Sequence, residues 1–281
     1  MAKNLKYLLL TRSVGAALNA LAVFAPGKAA RIGYKLHSEP RLGKLRSDDL
    51  PNVLKNAIKE VFELNGVNYQ SYRWAGNSEI ILLAHGWESN ASRWELLLPF
   101  LIATGKTIVA IDAPAHGLSG GHSFSVPKYA QVLDAICQKI NPAYLIGHSI
   151  GGAACVFYQY TRQNVNIKKM VLLGAPSDLQ VLIDNFCSLL NLKSKLKKHL
   201  TAEFGKQLEF PVENFSAITF ALHIKTPALV VHDTSDLIVS FDESQKIIKH
   251  WENITFMQTE NLGHSLHDDQ LYQKIADYIQ D

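Results

Sequence analysis

A serine, an aspartate and a histidine, in that chain order, have the residue types and surroundings of a nucleophilic acyl-transfer site: Ser149, Asp236 and His264. Ser149 sits in Gly147-His148-Ser149-Ile150-Gly151, between the apolar run "AYLIG" and a segment rich in small residues. Such a run reads as a strand and the segment after it as a helix, so the G-x-S-x-G pattern falls on a sharp strand-to-helix corner. Side chains at Gly147 and Gly151 would clash with the backbone the corner brings close, and the strained turn lifts the serine hydroxyl above the sheet. A serine hydroxyl is a weak nucleophile. It needs a base to take its proton and a carboxylate to orient that base. Asp236 follows the run "PALVVHD", and His264 stands in "NLGHSLHD" after the run "ITFMQTE". Both fall past the carboxyl end of a strand, where reacting groups gather in open α/β sheets. The oxygen of a tetrahedral intermediate needs N–H donors. Ile150, at the start of the helix, is expected to supply one. Trp87, after the His85-Gly86 turn in "AHGWESNASRW", is expected to supply the other and to roof an acyl pocket with its indole.

The elements that must hold these groups show in the texture of the chain. Continuous apolar runs at 80–86, 107–117, 143–149, 169–176, 227–233 and 254–260 read as strands buried on both faces of a parallel sheet. Helical patterns at 92–103, 125–140, 150–163, 241–251 and 268–280 alternate with them. The alternation predicts a doubly wound α/β sheet. Ahead of it, "VFELNGVNYQSYRW" alternates apolar and polar residues around Asn65-Gly66, a hairpin signal. From Ser177 to Ile224 no strand pattern appears, and apolar residues recur three and four apart. An insertion of that kind between two strands reads as a helical cap.

With these residues in place, the chain resembles the α/β-hydrolase superfamily, serine type. The resemblance covers roughly residues 60–281 and rests on "HGWESNASRW", "DAPAHGLSGG", "GHSIGG", "HDTSD" and "GH" in the expected order. It implies an α/β-hydrolase fold: a mostly parallel, eight-stranded sheet flanked by helices, with a cap at about 177–224 between the sixth and seventh strands. It also implies a Ser149–Asp236–His264 triad, no cofactor, and a small-molecule acyl ester or thioester as substrate. The implied reaction is hydrolysis through an acyl-enzyme intermediate, as in carboxylesterases, lipases and thioesterases. The alternative is a hydrolase-fold binding or signalling module without significant turnover. Two features depart from the family. Residues 1–59, read as an N-terminal helix and linker, lie outside the 60–281 domain, and Ser240 follows Val239 where the family often has proline.

Each site residue has rivals. Asp233 and Asp178 compete with Asp236, the first as a structural turn residue and the second as an acid after the sixth strand. His267 competes with His264 but would start the last helix. His85 reads as a hydrogen-bonded structural histidine, His148 as a packing residue turned away from the serine, and Asp112, His116 and Gly117 as residues that shape a loop. The eleven histidines show no HxxxH or HxH pair with carboxylates, so no metal site is expected.

Composition narrows the rest. The chain has 281 residues and a net charge of +3, which gives no nucleic-acid footprint. The three cysteines, Cys137, Cys155 and Cys187, have no CxxC spacing and read as reduced, buried thiols of a cytoplasmic protein. The first 36 residues are basic and apolar. Arg12 interrupts the apolar run, and Ser13 to Ala25 is too short to span a bilayer. The segment reads as an amphipathic helix with two placements. Either it docks on the domain, or it lies on a membrane surface with Lys3, Lys6, Arg12, Lys28 and Arg31 towards the headgroups. "KSKLKKHL" (193–200) reads as a solvated basic face, with a membrane- or anion-facing lid edge as the alternative. The oligomeric state is not legible.

Overall fold

Five of the six apolar runs become strands covered on both faces, whereas the run at 254–260 forms an edge strand whose residues are half-buried or exposed, because no further strand among the described residues lies beyond it. In the computed structural model, which describes residues 2–208 and 210–281, Ile81 and Leu83 share a core cluster with Trp94, Leu101 and Ile275. Leu82, between them, is equally buried on the other face of the pleat. Each such side chain removed from water contributes roughly 1.5–3 kcal/mol.

Helices α1 (Ala2–Phe24) and α2 (Pro26–Ser38) open the chain. The expected N-terminal helix is thus a pair, parted at Pro26, which has no N–H to extend the ladder. One turn, α3 (Asn52–Lys55), precedes the hairpin β1 (Ile58–Leu64) and β2 (Val67–Trp74). Asn65 and Gly66 both have positive φ, 52° and 74°, as a two-residue hairpin loop requires. β3 (Ile80–Ala84) leads through a 3-10 turn, Ala91–Glu95, to α4 (Leu98–Ala103). The helix expected over 92–103 is split there because Pro99 has no N–H to donate to Glu95. There follow β4 (Thr107–Ile111), α5 (Val126–Ile140), β5 (Tyr144–His148), α6 (Ile150–Arg162) and β6 (Lys169–Leu173). Helices α7 (Leu179–Leu190), α8 (Ser194–Leu208) and α9 (Ala217–Ala221) precede β7 (Ala228–Asp233). The chain closes with α10 (Phe241–Ile248), β8 (Ile254–Thr259) and α11 (Asp269–Gln280).

The eight strands form one sheet in the order β1-β2-β4-β3-β5-β6-β7-β8, and only β2 runs against the others. β3 lies between β4 and β5, so successive crossovers leave it in opposite directions. That reversal opens a crevice at the strands' carboxyl ends.

The chain divides into two compact units, one of residues 40–177 with 217–281 and one of residues 2–39 with 178–216. The first holds the sheet. The second is helical, built from α1, α2, α7 and α8. Its small core joins Leu18 and Ala22 of α1 to Ala29 and Ala30 of α2, and to Leu190 and Leu196. Asn19 brackets the turn between α7 and α8, donating to the Asn191 carbonyl at 3.0 Å and accepting from the Lys193 amide at 2.9 Å. Gly15 is where α1 meets α7: a Cβ there would lie 1.6 Å from the Leu190 carbonyl oxygen.

Gly15→Ala is therefore expected to force α1 off α7 at a cost of about 1–3 kcal/mol. Hydrogen exchange should show faster exchange of α1 and α2 amides with sheet amides unchanged. Unchanged protection of α1 would refute this account of the contact.

Candidate active site

Ser149 stands between the last residue of β5 and the first of α6, with φ 54° and ψ −126°. Backbone in that region is strained for a residue with a side chain. Its neighbours leave no alternative: a Cβ on Gly151 would lie 2.2 Å from the Ala84 carbonyl oxygen, and one on Gly147 would lie 2.5 Å from Gly152 Cα. The Ser149 N–H donates to the Leu173 carbonyl at 2.8 Å, which pins the corner to β6.

The structure brings the three sequence-predicted side chains together. His264 Nε2 lies 3.0 Å from Ser149 Oγ, and His264 Nδ1 lies 2.7 Å from Asp236 Oδ2. Asp236 is buried, and its Oδ1 accepts the Ile238 and Val239 amides at 2.8 and 2.9 Å. Burial pushes this carboxyl up, but the hydrogen bonds from His232, His264 and the Val239 amide outweigh it and hold the group well below the usual carboxylate range. An ionised carboxylate only accepts, so Nδ1 of His264 carries the hydrogen. The neutral ring then turns its Nε2 lone pair towards the serine hydroxyl.

The rivals have other work. Asp233 accepts from Ser235 through Oδ1, and from Thr259 Oγ1 and the Leu262 amide through Oδ2, at 2.7 and 3.0 Å. Burial raises its carboxyl, yet these bonds bring it down to about 2. It thereby ties the end of β7 to the loop that carries His264. Asp178 lies in the helical unit, just before α7. His267 pairs with the Tyr272 hydroxyl, and Asp268 caps α11 by accepting the Leu271 amide.

Three further neighbours touch the site: His148, read from the sequence as a packing residue, and His232 and Arg93, which that reading did not single out. His232, buried on β7, places Nε2 3.3 Å from Asp236 Oδ2 and donates to the Val239 carbonyl at 3.0 Å. His148 packs beside the His264 ring at 4.8 Å between centroids, and its Nε2 donates to the His264 carbonyl at 2.8 Å. Arg93 donates to the Ser265 carbonyl at 2.8 Å. The one signal for His232 is its place four residues before Asp236. The His148 and Arg93 contacts join residues more than a hundred positions apart, and no local pattern carries them.

Gly86, the residue before Trp87, lies against the serine, since a Cβ there would come within 3.0 Å of Ser149 Cβ. Ile150 is the first residue of α6, where an amide has no intrahelical acceptor. The loop that carries Trp87 is stapled by its buried neighbours. His85 Nδ1 donates to the Gly86 carbonyl at 2.7 Å, while Nε2 accepts the Ala113 amide at 2.9 Å. His116 repeats the arrangement, donating to the Pro114 carbonyl at 2.8 Å and accepting the Glu88 amide at 3.0 Å. Asp112 accepts the Ala91 amide, the Leu118 amide and the Tyr72 hydroxyl. The Trp87 indole stands edge-on to His116 and Phe124. Among the described residues, no group of three or more His, Cys, Asp or Glu could hold a metal ion, and the three cysteines are free and buried.

This fold and sequence pattern place the chain in the alpha/beta hydrolase family, whose profile matches residues 81–277. The chain is similar to a human serine hydrolase-like protein, 31% identical over 126 residues that make up 43% of this chain and 61% of that protein. It is also similar to a bifunctional esterase/perhydrolase of Acinetobacter calcoaceticus, 29% identical over 111 residues, 37% of this chain and 40% of that one. The matches thus span less than two thirds of either relative. The solved structure of Paleococcus ferrophilus monoacylglycerol lipase superposes with a TM-score of 0.60, covering 79% of this chain and 98% of that one. At 20% identity that likeness shows the fold alone.

The histidine staples give stability a pH dependence. Burial, before any other cause, lowers His85 to about 3 and His116 to about 4. The unfolded chain protonates both near 6.5, so between about 6.5 and 4 it binds more protons than the folded chain, and stability is lost as pH falls through that window. Asp112, raised by burial to about 6, opposes this with one proton against two. Urea unfolding is expected to show stability falling between pH 7 and 4.5, by up to about 1.4 kcal/mol per pH unit for each uncompensated proton. In His116→Gln the slope should drop by about one proton. An unchanged slope would remove His116 from this account.

Proposed function

We propose that the chain is a serine hydrolase that cleaves a carboxylic ester or thioester through an acyl-enzyme. The observation that carries this reading is the unbroken hydrogen-bonded path from Ser149 Oγ through His264 to Asp236 Oδ2. Ser149 Oγ attacks the acyl carbon as its proton passes to His264 Nε2. Asp236 keeps the ring in the Nδ1–H form and stabilises its positive charge after transfer. The amides of Trp87 and Ile150 receive the oxyanion, which α6 favours through the positive end of its dipole. His264 then returns the proton to the leaving alcohol or thiol. In deacylation His264 Nε2 takes a proton from water as the water oxygen attacks the acyl carbon, then gives it to Ser149 Oγ as the acyl–oxygen bond to the serine breaks and the carboxylic acid leaves. The ester-acting names among the relatives support this reaction class, and the half-buried Trp87 indole beside Gly86 suits an apolar acyl group.

Intact-mass measurement after treatment with a small fluorophosphonate tests the reading. The wild type should gain one adduct and Ser149→Ala none. Asp236→Asn should retain the fold and lose about 10⁴-fold in the turnover of an activated ester. A folded wild type that gains no adduct and turns over neither esters nor thioesters would leave only a binding role for the fold.

A further inference from the structure

Helix α1 is apolar on both sides, but only one side is covered. Leu18 and Ala22 face the core of the helical unit, with Val14 and Leu21 packed against it. The opposite side carries Leu9, Leu10, Val23 and Phe24, which are 62%, 63%, 66% and 90% exposed. From Ser13 to Phe24 the helix has no charged residue. A helix bordering water ordinarily places polar side chains on its outer face. This one does not.

The same segment has an unusual charge. Residues 1–38 hold six Lys and Arg and no Asp or Glu, whereas the whole chain holds 28 and 25. The remaining 243 residues therefore carry 22 and 25, a net negative charge. Lys28, Arg31 and Lys35 recur at helical spacing on α2, on the side opposite the buried Ala29, Ala30 and Gly33. Lys28 and Arg31 are exposed and form no ion pair among the described residues, while Lys35 pairs with Glu39 at 3.8 Å. Arg12 is exposed at the edge of α1's apolar face. The side chains of Lys3 and Lys6 lie outside the described residues.

We propose that the outer face of α1, together with the exposed cations Lys28 and Arg31 of α2 in the same helical unit, docks on an anionic lipid bilayer. A bilayer surface offers the two things this element lacks, an apolar layer for Leu9, Leu10, Val23 and Phe24 and negative charge for the basic residues. A second copy of the chain offers the first without the second, because a twofold contact would set the same uncompensated cations against one another. The docking is peripheral: no helix among the described residues is long and apolar enough to cross a membrane. The proposal is independent of the reaction at Ser149.

Flotation of the full chain with vesicles tests it. The wild type should float with phosphatidylcholine vesicles containing phosphatidylglycerol, and much less with phosphatidylcholine alone. Leu9→Glu with Phe24→Glu should abolish flotation. Lys28→Gln with Arg31→Gln should weaken it by about thirtyfold on the anionic vesicles. All these side chains are exposed, so far-UV circular dichroism and fluorophosphonate labelling of Ser149 should match the wild type and show that each variant is folded. Wild-type protein that stays at the bottom of the gradient with anionic vesicles would overturn the proposal. So would a dimer in sedimentation equilibrium that the Leu9 and Phe24 substitutions dissolve, since the occupant of the face would then be a second copy. Equal flotation with neutral vesicles would overturn the role given to the cations.

Discussion

The corner at Ser149 is the constraint around which the sheet unit is organised. A side-chain-bearing residue is held at φ 54°, a conformation of order 1–3 kcal/mol above the common basins, because strand and helix meet there without a linker. The corner survives because its surroundings leave no room to relax. Gly151 rides on the Ala84 and His85 carbonyls at the end of β3, Gly147 presses on Gly152, and the Ser149 amide is fixed to β6. Three adjacent parallel strands thus determine where one hydroxyl points.

The partners of that hydroxyl come from loops, and the loops are held by buried polar groups rather than by packing alone. "HDTSD" supplies two carboxylates three residues apart with different duties. Asp233 spends both oxygens joining the β7 end to the β8 loop, and Asp236 spends one on its own turn and keeps the other for His264 and His232. On the other side of the corner, two neutral histidines each give one N–H to a carbonyl and take one amide. Neutral imidazole suits such sites because it carries one donor and one acceptor, and burial keeps it neutral. The loops beside Ser149 are therefore fixed in part by neutral rings that each satisfy one carbonyl and one amide.

The helical unit follows a different logic. Its core is small and joins segments more than 150 positions apart, the first two helices and the insertion after β6. Short side chains make this work, since Gly15, Ala22, Ala29 and Ala30 let helices approach closely. The composition that suits close packing on the inner side leaves α1 apolar on the outer side too.

The sequence by itself determined the parallel sheet, its hairpin start and the order Ser149, Asp236, His264, because continuous apolar runs, Asn65-Gly66 and the glycine-flanked serine are local signals with local steric causes. Loop position set His264 apart from His267 and Asp236 from Asp233, and in the fold His264 meets Asp236 and Ser149 while His267 meets Tyr272. The tertiary structure alone decided what joins residues distant along the chain. It set His148 and Arg93 against the His264 loop, turned His232 towards Asp236, and packed α1 and α2 with α7 and α8 in one unit. A histidine in a strand looks the same whether its ring meets a methyl group or a carbonyl. A basic, apolar helix reads alike whatever covers it. Those choices depend on which surfaces the folded chain brings within hydrogen-bond or van der Waals reach, and periodicity along the sequence carries no record of them.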